Sequence, residues 1–389
     1  MGSIELLEQL VPMGTQTNSK RRLPPAAPKM AVQGKGCWVK GDNGREYLDM
    51  VAGLGAVILG HNDEPVSVAA VTALAKGMSL PLPTAYEYDV AEQLVHMIPC
   101  AEMVRFGKNG ADATAAAVRI ARAATRRIPV LRCGYHGYQD WCVAKSDGVP
   151  TQDTWAVRYN DTRDLEGLLK QLKPACFILE PILVHPHPVT MPLPSYLNEV
   201  VVMCHFYGAL CIFDETVTGF RTHLGGASAL YGVTPDLACV GKALGNGFPL
   251  SAVVGKREYM ELLGKGVFFS TTHGGETMSL AAAAATLTAL EDRRVPEALA
   301  AFGSELRIAY ADLAYLTGCT ERTKLSGPAC RMDFWWDTAA DQAAFNNALA
   351  EAGVLSLGTF TLMEAHTKDA AAFDFLVEAL DTAFHAVSK

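Results

Sequence analysis

An alternation of strand-like and helix-like segments, which begins near residue 85, is the feature that most limits the folds open to this chain. Short apolar runs alternate with longer stretches in which apolar residues recur at helical spacing. This alternation predicts an α/β fold with a mostly parallel sheet covered by helices. The expected strands are residues 130–133, 176–179, 210–213, 237–240 and 251–254. The expected helices are residues 89–97, 111–126, 165–172, 196–207 and 277–291.

The two ends of the chain follow other patterns. Residues 1–35 combine a short amphipathic start with a proline-rich stretch, which indicates an extended arm. A hairpin follows, because residues 36–40 and 46–50 flank the turn sequence Asp42-Asn43-Gly44-Arg45. After residue 292 the pattern is a helix, a strand near 329–335, and helices near 343–352 and 370–386. We therefore expect an arm and hairpin over 1–50 that pack with a small α/β domain over 292–389, and a large domain over 51–291.

The composition disfavours several classes of function. A net charge of −8, with no basic run beyond Lys20-Arg21-Arg22, argues against a broad nucleic-acid surface and leaves a nucleotide-linked substrate open. The ten cysteines form no Cys-x-x-Cys pair, which is typical of buried thiols in a reducing compartment. No apolar run reaches the roughly 20 residues that span a bilayer, and no Gly-x-Gly-x-x-Gly or Walker-type sequence indicates a nicotinamide or nucleoside triphosphate. These features predict a cytoplasmic protein without a membrane segment.

One lysine stands at the end of an apolar run. Residues 236–241 lead directly to Lys242, and a glycine-rich turn follows. A lysine at the end of a buried strand is costly to desolvate as a cation, and a neutral amine there is a nucleophile that can form a Schiff base. The alternative is a solvated loop lysine, which is the common situation for a single lysine. The functional interpretation therefore needs a partner residue.

That partner is an aspartate that ends another apolar run. Residues 209–213 lead into Asp214, which places its carboxylate at the carboxyl end of a predicted strand. Ligands of open α/β sheets bind at this edge, and a carboxylate there can hold a pyridinium nitrogen protonated. The alternative is a cap for the following helix.

The two segments together resemble the class III aminotransferases, most closely the glutamate-1-semialdehyde aminomutase-like branch. The resemblance rests on Asp214-Glu215 before Thr218-Gly219-Phe220-Arg221, and on Gly241-Lys242 before the glycine-rich turn. It implies the fold type I architecture of enzymes that use pyridoxal 5′-phosphate (PLP), with Lys242 as the Schiff-base residue and Asp214 at the ring nitrogen. The implied reaction is transamination or migration of an amino group. Decarboxylation or racemisation stays open, as does a binding module without catalysis, against which the intact Lys242 and Asp214 argue.

A phosphate site is predicted where residues 104–109 lead into an alanine-rich helix. The free amides of Gly110 and Ala111 lie at the start of that helix, where the helix dipole and unpaired N–H groups favour an anion. The alternative is a plain helix cap with Asp112 in the first turn. The resemblance favours the phosphate site, because the family binds the cofactor phosphate at the equivalent glycine and the residue after it. Ala111 replaces a threonine that is frequent there.

Two ring-bearing residues follow the predicted strand 130–133. The resemblance implies that Tyr135 stacks on the pyridine ring, since the family has a Tyr-His-Gly at this point and the chain has Tyr135, His136 and Gly137. Core packing for Tyr135 and a loop histidine for His136 are the alternatives. Thr216 occupies the place where the family usually has a valine against the opposite face of the ring.

Glu180 begins a Glu-Pro pair that matches the family after the strand 176–179. The residues beyond it differ, because His185 stands where an asparagine or glutamine often approaches the ring hydroxyl. His185 and His187 alternate with prolines, and with no third ligand in view they do not indicate a metal site. We therefore expect no metal.

The segment 269–277 resembles the family loop whose threonine reaches the phosphate of the neighbouring subunit's cofactor, and Thr272 is the matching position. This implies a homodimer with shared active sites. The alternative is that Thr272 caps the following helix, and the two roles are compatible.

The substrate is the least determined feature. Residues 15–20 match the N-terminal arm that lines the substrate pocket in the aminomutase branch, with Lys20 near the position of a carboxylate-binding arginine. A lysine offers a point charge in place of a bidentate fork, which weakens the case for a small α-carboxylate substrate. A small amine or amino acid is expected, and an amino sugar or a nucleotide- or carrier-linked amine stays open.

Overall fold

A computed structural model describes residues 3–143, 149, 153–185 and 187–388, with the side chains of residues 3–6 left out. The first two residues of the predicted arm, the last residue of the small domain and the proline between His185 and His187 lie outside the described residues. The strands are β1 Ala31–Lys35, β2 Trp38–Gly41, β3 Glu46–Asp49, β4 Met103–Gly107, β5 Val130–Cys133, β6 Thr154–Ala156, β7 Cys176–Leu179, β8 Leu210–Asp214, β9 Leu237–Val240, β10 Ser251–Gly255, β11 Thr323–Ser326, β12 Arg331–Trp336, β13 Val354–Leu355 and β14 Thr359–Thr361. The helices are α1 Ser3–Leu10, α2 Ala52–Gly55, α3 Glu64–Lys76, α4 Ala85–Met97, α5 Gly110–Thr125, α6 Thr162–Leu172, α7 Tyr196–Phe206, α8 Gly226–Tyr231, α9 Arg257–Met260, α10 Thr277–Asp292, α11 Val295–Leu316, α12 Ala339–Ala352, α13 Glu364–Lys368 and α14 Ala372–Val387.

The largest sheet has seven strands in the order β4-β10-β9-β8-β7-β5-β6. The pairs from β9 to β6 are parallel, whereas β10 is antiparallel to both β4 and β9. Every residue of β7, β8, β9 and β10 is buried, as expected for strands covered on both faces. The prediction of a mostly parallel sheet in an α/β fold is therefore confirmed.

Each face of this sheet carries its own core. Cys176, Ile178 and Ile212 pack in one cluster with the alanine-rich side of α5. Their neighbours along the strands, Phe177 and Phe213 among them, point to the other face and pack with α6 and α7. The alternation of side chains along each strand thus divides one continuous apolar run between two cores.

The chain divides into two compact units, one of residues Glu64–Pro296 and one of Met1–Asp63 with Glu297–Lys389. The second unit contains a four-stranded sheet, β1-β2-β3-β13, and a three-stranded sheet, β11-β12-β14. Within it, the predicted hairpin pairs with the C-terminal part of the chain, because Leu48 of β3 lies opposite Val354 of β13 in parallel register. The proposed domain division at residues 50 and 291 stays a prediction.

The structure differs from the sequence expectations at several elements. The strand β1 lies inside the segment expected to be an extended arm, and β4 was not predicted because its pattern is mixed, with Arg105 exposed in the middle. Helix α12 begins at residue 339 and not near 343, because Thr338 accepts the Asp341 amide and caps the first turn. Among the described residues, no helix is long and apolar enough to cross a membrane.

Candidate active site

The carboxyl ends of four neighbouring strands bring most of the predicted residues to one edge of the large sheet. Tyr135 and His136 follow β5, and Glu180 follows β7. Asp214 is the last residue of β8, and Lys242 comes two residues after β9. Because these strands are parallel, their ends meet at the edge where open α/β sheets bind ligands.

Asp214 is buried and held by three hydrogen bonds. Its Oδ1 accepts from the Thr216 amide at 3.1 Å and from the Thr216 hydroxyl at 2.6 Å. Its Oδ2 lies 2.8 Å from Nδ1 of His136. An ionised carboxylate only accepts, so this contact assigns the imidazole proton to Nδ1. The carboxylate is thereby fixed in orientation.

Lys242 begins a short 3-10 helix, Lys242–Gly245, with a left-handed backbone at φ +43°. A residue with a side chain adopts this conformation only where its surroundings impose it, and such residues concentrate at functional sites. The preceding Gly241 lies against Thr216, since a Cβ on Gly241 would be 3.5 Å from Cγ2 of Thr216. The half-buried Lys242 therefore emerges beside the threonine that binds Asp214.

The N-terminus of α5 reaches the same threonine. A Cβ on Gly110 would lie only 2.7 Å from Cγ2 of Thr216, so only glycine permits this approach. Asp112 accepts the amides of Lys108 and Asn109, both at 2.9 Å. The next amides, those of Gly110 and Ala111, belong to the first turn, where no intrahelical acceptor exists. The helix start thus offers an anion site beside Thr216.

The loop with Tyr135 and His136 is attached to both neighbours. The Thr114 hydroxyl of α5 donates to the His136 carbonyl at 2.8 Å. On the other side, Oε2 of the buried Glu180 accepts the amides of Tyr135 and His185, each at 3.2 Å. Glu180 therefore acts on the backbone of two loops, and the Tyr135 ring is left 56% exposed at the edge. The His185 ring lies 5.6 Å from the Tyr135 ring, centroid to centroid.

Thr272 lies in an exposed loop that the same chain holds in place. Arg105 donates to the Phe269 carbonyl at 3.1 Å, and Arg119 donates to the Phe268 carbonyl at 3.0 Å. The alternative interpretation of Thr272 as a helix cap is wrong, because Glu276 caps α10 by accepting the Ser279 amide. The hydroxyl-bearing residue is presented on the surface of the single chain.

Burial shifts the pKa of several groups around the site. The pKa of Tyr135 is raised, first by burial and then by the charges of Cys142 and Asp214. The pKa of Glu215, fully enclosed beneath α8, is raised by burial against the hydrogen bonds from Ser228 and Thr218. Each group is therefore held more firmly in its protonated form than it would be in water.

Sequence reasoning missed three contacts that shape the site. Thr216 was assigned to a ring face, yet it also joins Asp214, Gly110 and Gly241. Ser251 donates to the Asn109 carbonyl at 2.7 Å, and the Trp141 ring lies nearly parallel to that of His136. A polar residue at the start of the apolar strand β10 was the only signal for Ser251. No sequence pattern indicated a role for Trp141, because its contact with His136 arises only from the tertiary fold.

The residues at this edge fit PLP, the cofactor that the resemblance implies. A helix start that only glycine allows to approach suits a phosphate, and an exposed aromatic face suits a planar ring. A buried, oriented carboxylate and a lysine at a neighbouring strand end complete the set. In the described part of the chain, no group of three or more histidine, cysteine, aspartate or glutamate side chains could hold a metal ion.

The chain matches the family described as Aminotransferase class-III over residues 22–384. It is similar to a 3-aminobutyryl-CoA aminotransferase from Cloacimonas acidaminovorans, with 37% identity over 320 residues that cover 79% of this chain and 77% of that protein. It is also similar to a glutamate-1-semialdehyde 2,1-aminomutase from Roseiflexus castenholzii, with 36% identity over 318 residues that cover 75% and 73%. Among solved structures, a PLP form of the FumI protein from Sphingopyxis sp. MTA144 matches with a TM-score of 0.92 at 26% identity, covering 99% of this chain and 95% of that one.

Proposed function

Because the chain belongs to the class III aminotransferases and is a PLP-dependent aminotransferase or aminomutase, we propose that Lys242 is its catalytic lysine and Asp214 its catalytic carboxylate. Lys242 would hold the cofactor through its Nζ, and the same amine would move protons at the substrate carbon. Asp214 keeps the ring nitrogen protonated. The bound cofactor supplies an electron sink for the bond that breaks.

The observation that carries this proposal is the position of Thr216. Its hydroxyl binds Asp214, and its methyl carbon would lie 2.7 Å from a Cβ on Gly110 and 3.5 Å from a Cβ on Gly241. One side chain thus sets the distances between the carboxylate, the proposed phosphate site and the strand end that carries the lysine. A planar ligand with two charged ends needs its binding groups close together in this way.

Five further residues are proposed to form the cofactor site, three by direct contact and two through other groups. The amides of Gly110 and Ala111 bind the phosphate, and the ring of Tyr135 stacks on the pyridine. His136 acts through its hydrogen bond to Asp214. Glu180 acts through the backbone of Tyr135 and His185 and does not bind the ring itself.

The direct test is cofactor uptake. Protein freed of cofactor should take up one PLP per chain and gain a visible absorbance band, and reduction with borohydride should remove the band and leave the cofactor attached. A protein that takes up no PLP, or takes it up without a covalent bond, would overturn the proposal.

The substrate class is proposed to be an amine in which the nearby carboxyl group is masked, as in a β-amino acyl thioester, and the reaction to be transfer of the amino group. The relative named for 3-aminobutyryl-CoA supports this class. So does Lys20 at the family's arginine position, because a free carboxylate prefers a bidentate partner. The second candidate, an aminomutase, is favoured by the Roseiflexus relative. Amino transfer from a 3-aminobutyryl thioester to a keto acid supports the first, and turnover of glutamate 1-semialdehyde alone supports the second.

We also propose a homodimer in which each chain's Thr272 completes the partner's phosphate site. The Thr272 loop is exposed and tethered to the loop after α3, because the Thr277 hydroxyl donates to the Gly77 carbonyl at 2.8 Å. These two loops expose large apolar side chains, Leu82 at 74% and Phe268 at 76%, which a second copy would cover. Light scattering that reports a monomer for the PLP-loaded protein would contradict this.

A reducing, cytoplasmic location is proposed from the cysteines. All ten are buried and form no disulfide, which suits a compartment where thiols stay reduced. Cell fractionation tests this, and recovery of the protein from an oxidising compartment would contradict it.

A further inference from the structure

The His136 imidazole is buried, and among the described residues only one of its two nitrogens has a hydrogen-bond partner. Its side chain is fully buried, and Nδ1 lies 2.8 Å from Oδ2 of Asp214. Its other nitrogen, Nε2, is buried with no hydrogen-bond partner among the described residues. Rotation of the ring about its Cβ–Cγ bond would break the contact at Nδ1, and Nε2 has no hydrogen bond among the described residues that would oppose this rotation as well. A packing contact supplies a second restraint.

That contact is the indole of Trp141. The two rings are nearly parallel, at 14°, with centroids 6.2 Å apart. The indole Nε1 is likewise buried without a hydrogen-bond partner in the described part of the chain. Trp141 also packs against the core cluster beneath α5.

The backbone on both sides of this pair is anchored. The His136 carbonyl accepts from Thr114 of α5, and the Trp141 carbonyl accepts from Thr154 of β6. The short segment between the two rings is therefore fixed at each end to a different element. These bonds hold the backbone from which the imidazole and the indole project.

We propose that Trp141 is a positioning residue that acts on Asp214 through His136. The indole lies nearly parallel to the imidazole and offset from it, and it occupies the space into which the imidazole would turn. Without the indole, the ring turns away from Asp214 and water competes for the Asp214 oxygen. The consequence for the enzyme rests on the proposed function of Asp214, whereas the geometric claim does not.

The test compares three variants. Trp141→Leu keeps an apolar side chain and removes the flat face, whereas Trp141→Phe keeps a flat face and removes the N–H. Trp155→Leu is the matched control, because Trp155 is also partly buried but packs in the core on the other side of the sheet. Thermal unfolding of all three reports the purely structural cost of losing a large side chain.

The first measurement is made on cofactor-free protein with 15N-labelled histidine, with His136→Gln assigning the signal among the ten histidines. Wild type, Trp141→Phe and Trp155→Leu should show the proton on Nδ1 and slow exchange with solvent. Trp141→Leu should show averaged tautomers and fast exchange. A wild-type signal with the proton on Nε2, or a Trp141→Leu signal identical to wild type, overturns the proposal. If Trp141→Leu fails to fold, Trp141→Phe is compared with wild type, and loss of the Nδ1 proton in Trp141→Phe overturns it.

The second measurement uses the PLP-loaded enzyme. Trp141→Leu should lower the saturated kcat about tenfold, the order expected when one hydrogen bond to a charged group is weakened, with KM and cofactor affinity nearly unchanged. Trp141→Phe should restore most of the rate. Altered histidine signals with an unchanged kcat would leave the positioning role standing and would contradict the proposed role of Asp214. A loss of rate that Trp155→Leu reproduces would overturn the positioning role.

Discussion

Two aspartates are buried at opposite edges of the large sheet, and they are held in different ways. Asp214 ends β8 at the carboxyl edge and is 4% exposed, whereas Asp236 precedes β9 at the amino edge and is 1% exposed. Asp236 forms an ion pair with Lys256 at 2.7 Å, and His205 Nε2 lies within hydrogen-bond distance at 2.9 Å. Asp214 takes its hydrogen bonds from Thr216 and His136. Burial of a carboxylate therefore does not distinguish the two aspartates, whereas the edge of the sheet and the hydrogen-bond donors do.

The largest expected effect is a difference in turnover between variants of two lysines, Lys242 at the carboxyl edge and Lys256 at the amino edge. Lys242→Ala should reduce turnover at least about a thousandfold, because it removes the nucleophile, and leave the protein folded with cofactor bound non-covalently. Lys256→Ala should leave turnover near wild type, because the Lys256 ammonium donates a hydrogen bond to Asp236 at the opposite edge of the sheet. Steady-state rates and circular dichroism of both variants check this, and more than a few per cent of turnover in Lys242→Ala would contradict it.

The next effect separates the aspartates. Asp214→Asn should lower the saturated rate about a hundredfold, because a neutral amide cannot hold the ring nitrogen protonated, with little effect on stability. Asp236→Asn should do the reverse, lowering the free energy of unfolding by about 2 kcal/mol because Lys256 and the Cys211 amide lose an anionic acceptor. Saturated rates and urea unfolding measure both. Equal losses of rate in the two variants would contradict the assignment of a catalytic role to Asp214 and a structural role to Asp236.

A smaller effect concerns binding alone. Thr272→Ala should weaken PLP binding about tenfold, the size of one lost hydrogen bond to a charged group, and leave the saturated rate unchanged. Thr382→Ala, on the exposed side of α14, is the control. Mixing Thr272→Ala chains with Lys242→Ala chains should restore one complete site per hybrid dimer. A mixture no more active at limiting PLP than Thr272→Ala alone would show that the sites are not shared.

The smallest effect tests a third buried carboxylate, Glu276, which pairs with Lys108 at 2.6 Å. Burial raises the pKa of Glu276, but hydrogen bonds from Lys108 and Ser279 outweigh burial and the pKa is lowered. A lowered pKa in the folded state gives stability that is complete above the unfolded pKa near 4.5 and is lost as the pH falls through the folded value. Chemical unfolding between pH 6 and pH 3, about the range of carboxyl titration, should show about 1 kcal/mol more loss in wild type than in Glu276→Gln. Identical pH profiles would contradict the ion pair.

The fold was largely predictable because its strands are continuous apolar runs. The bounds predicted for β5, β7 and β9 agree with the structure, and β8 and β10 are one residue longer than predicted. The strand β4 was missed because Arg105 interrupts its apolar pattern and reaches a loop carbonyl 164 residues away in sequence. The presence of an arginine in this strand is explained only by its contact in the tertiary structure.

The site was predictable where a residue's place follows from the end of a strand. Asp214 and Lys242 come at or just after apolar runs, so their edge of the sheet followed from the pattern alone. The contacts that other residues make within the site could not be predicted in this way. Thr216 meets Gly110 across more than a hundred residues of sequence, and the Trp141 ring meets a histidine that no periodicity links to it.

The most direct test of the central claim is to identify the lysine that bonds to the cofactor. The PLP-loaded protein is reduced with borohydride and digested, and the modified peptide is sequenced by mass spectrometry. The carboxyl-edge arrangement predicts a phosphopyridoxyl group on Lys242 alone. Modification of Lys108, Lys256 or another lysine, with Lys242 unmodified, would contradict it.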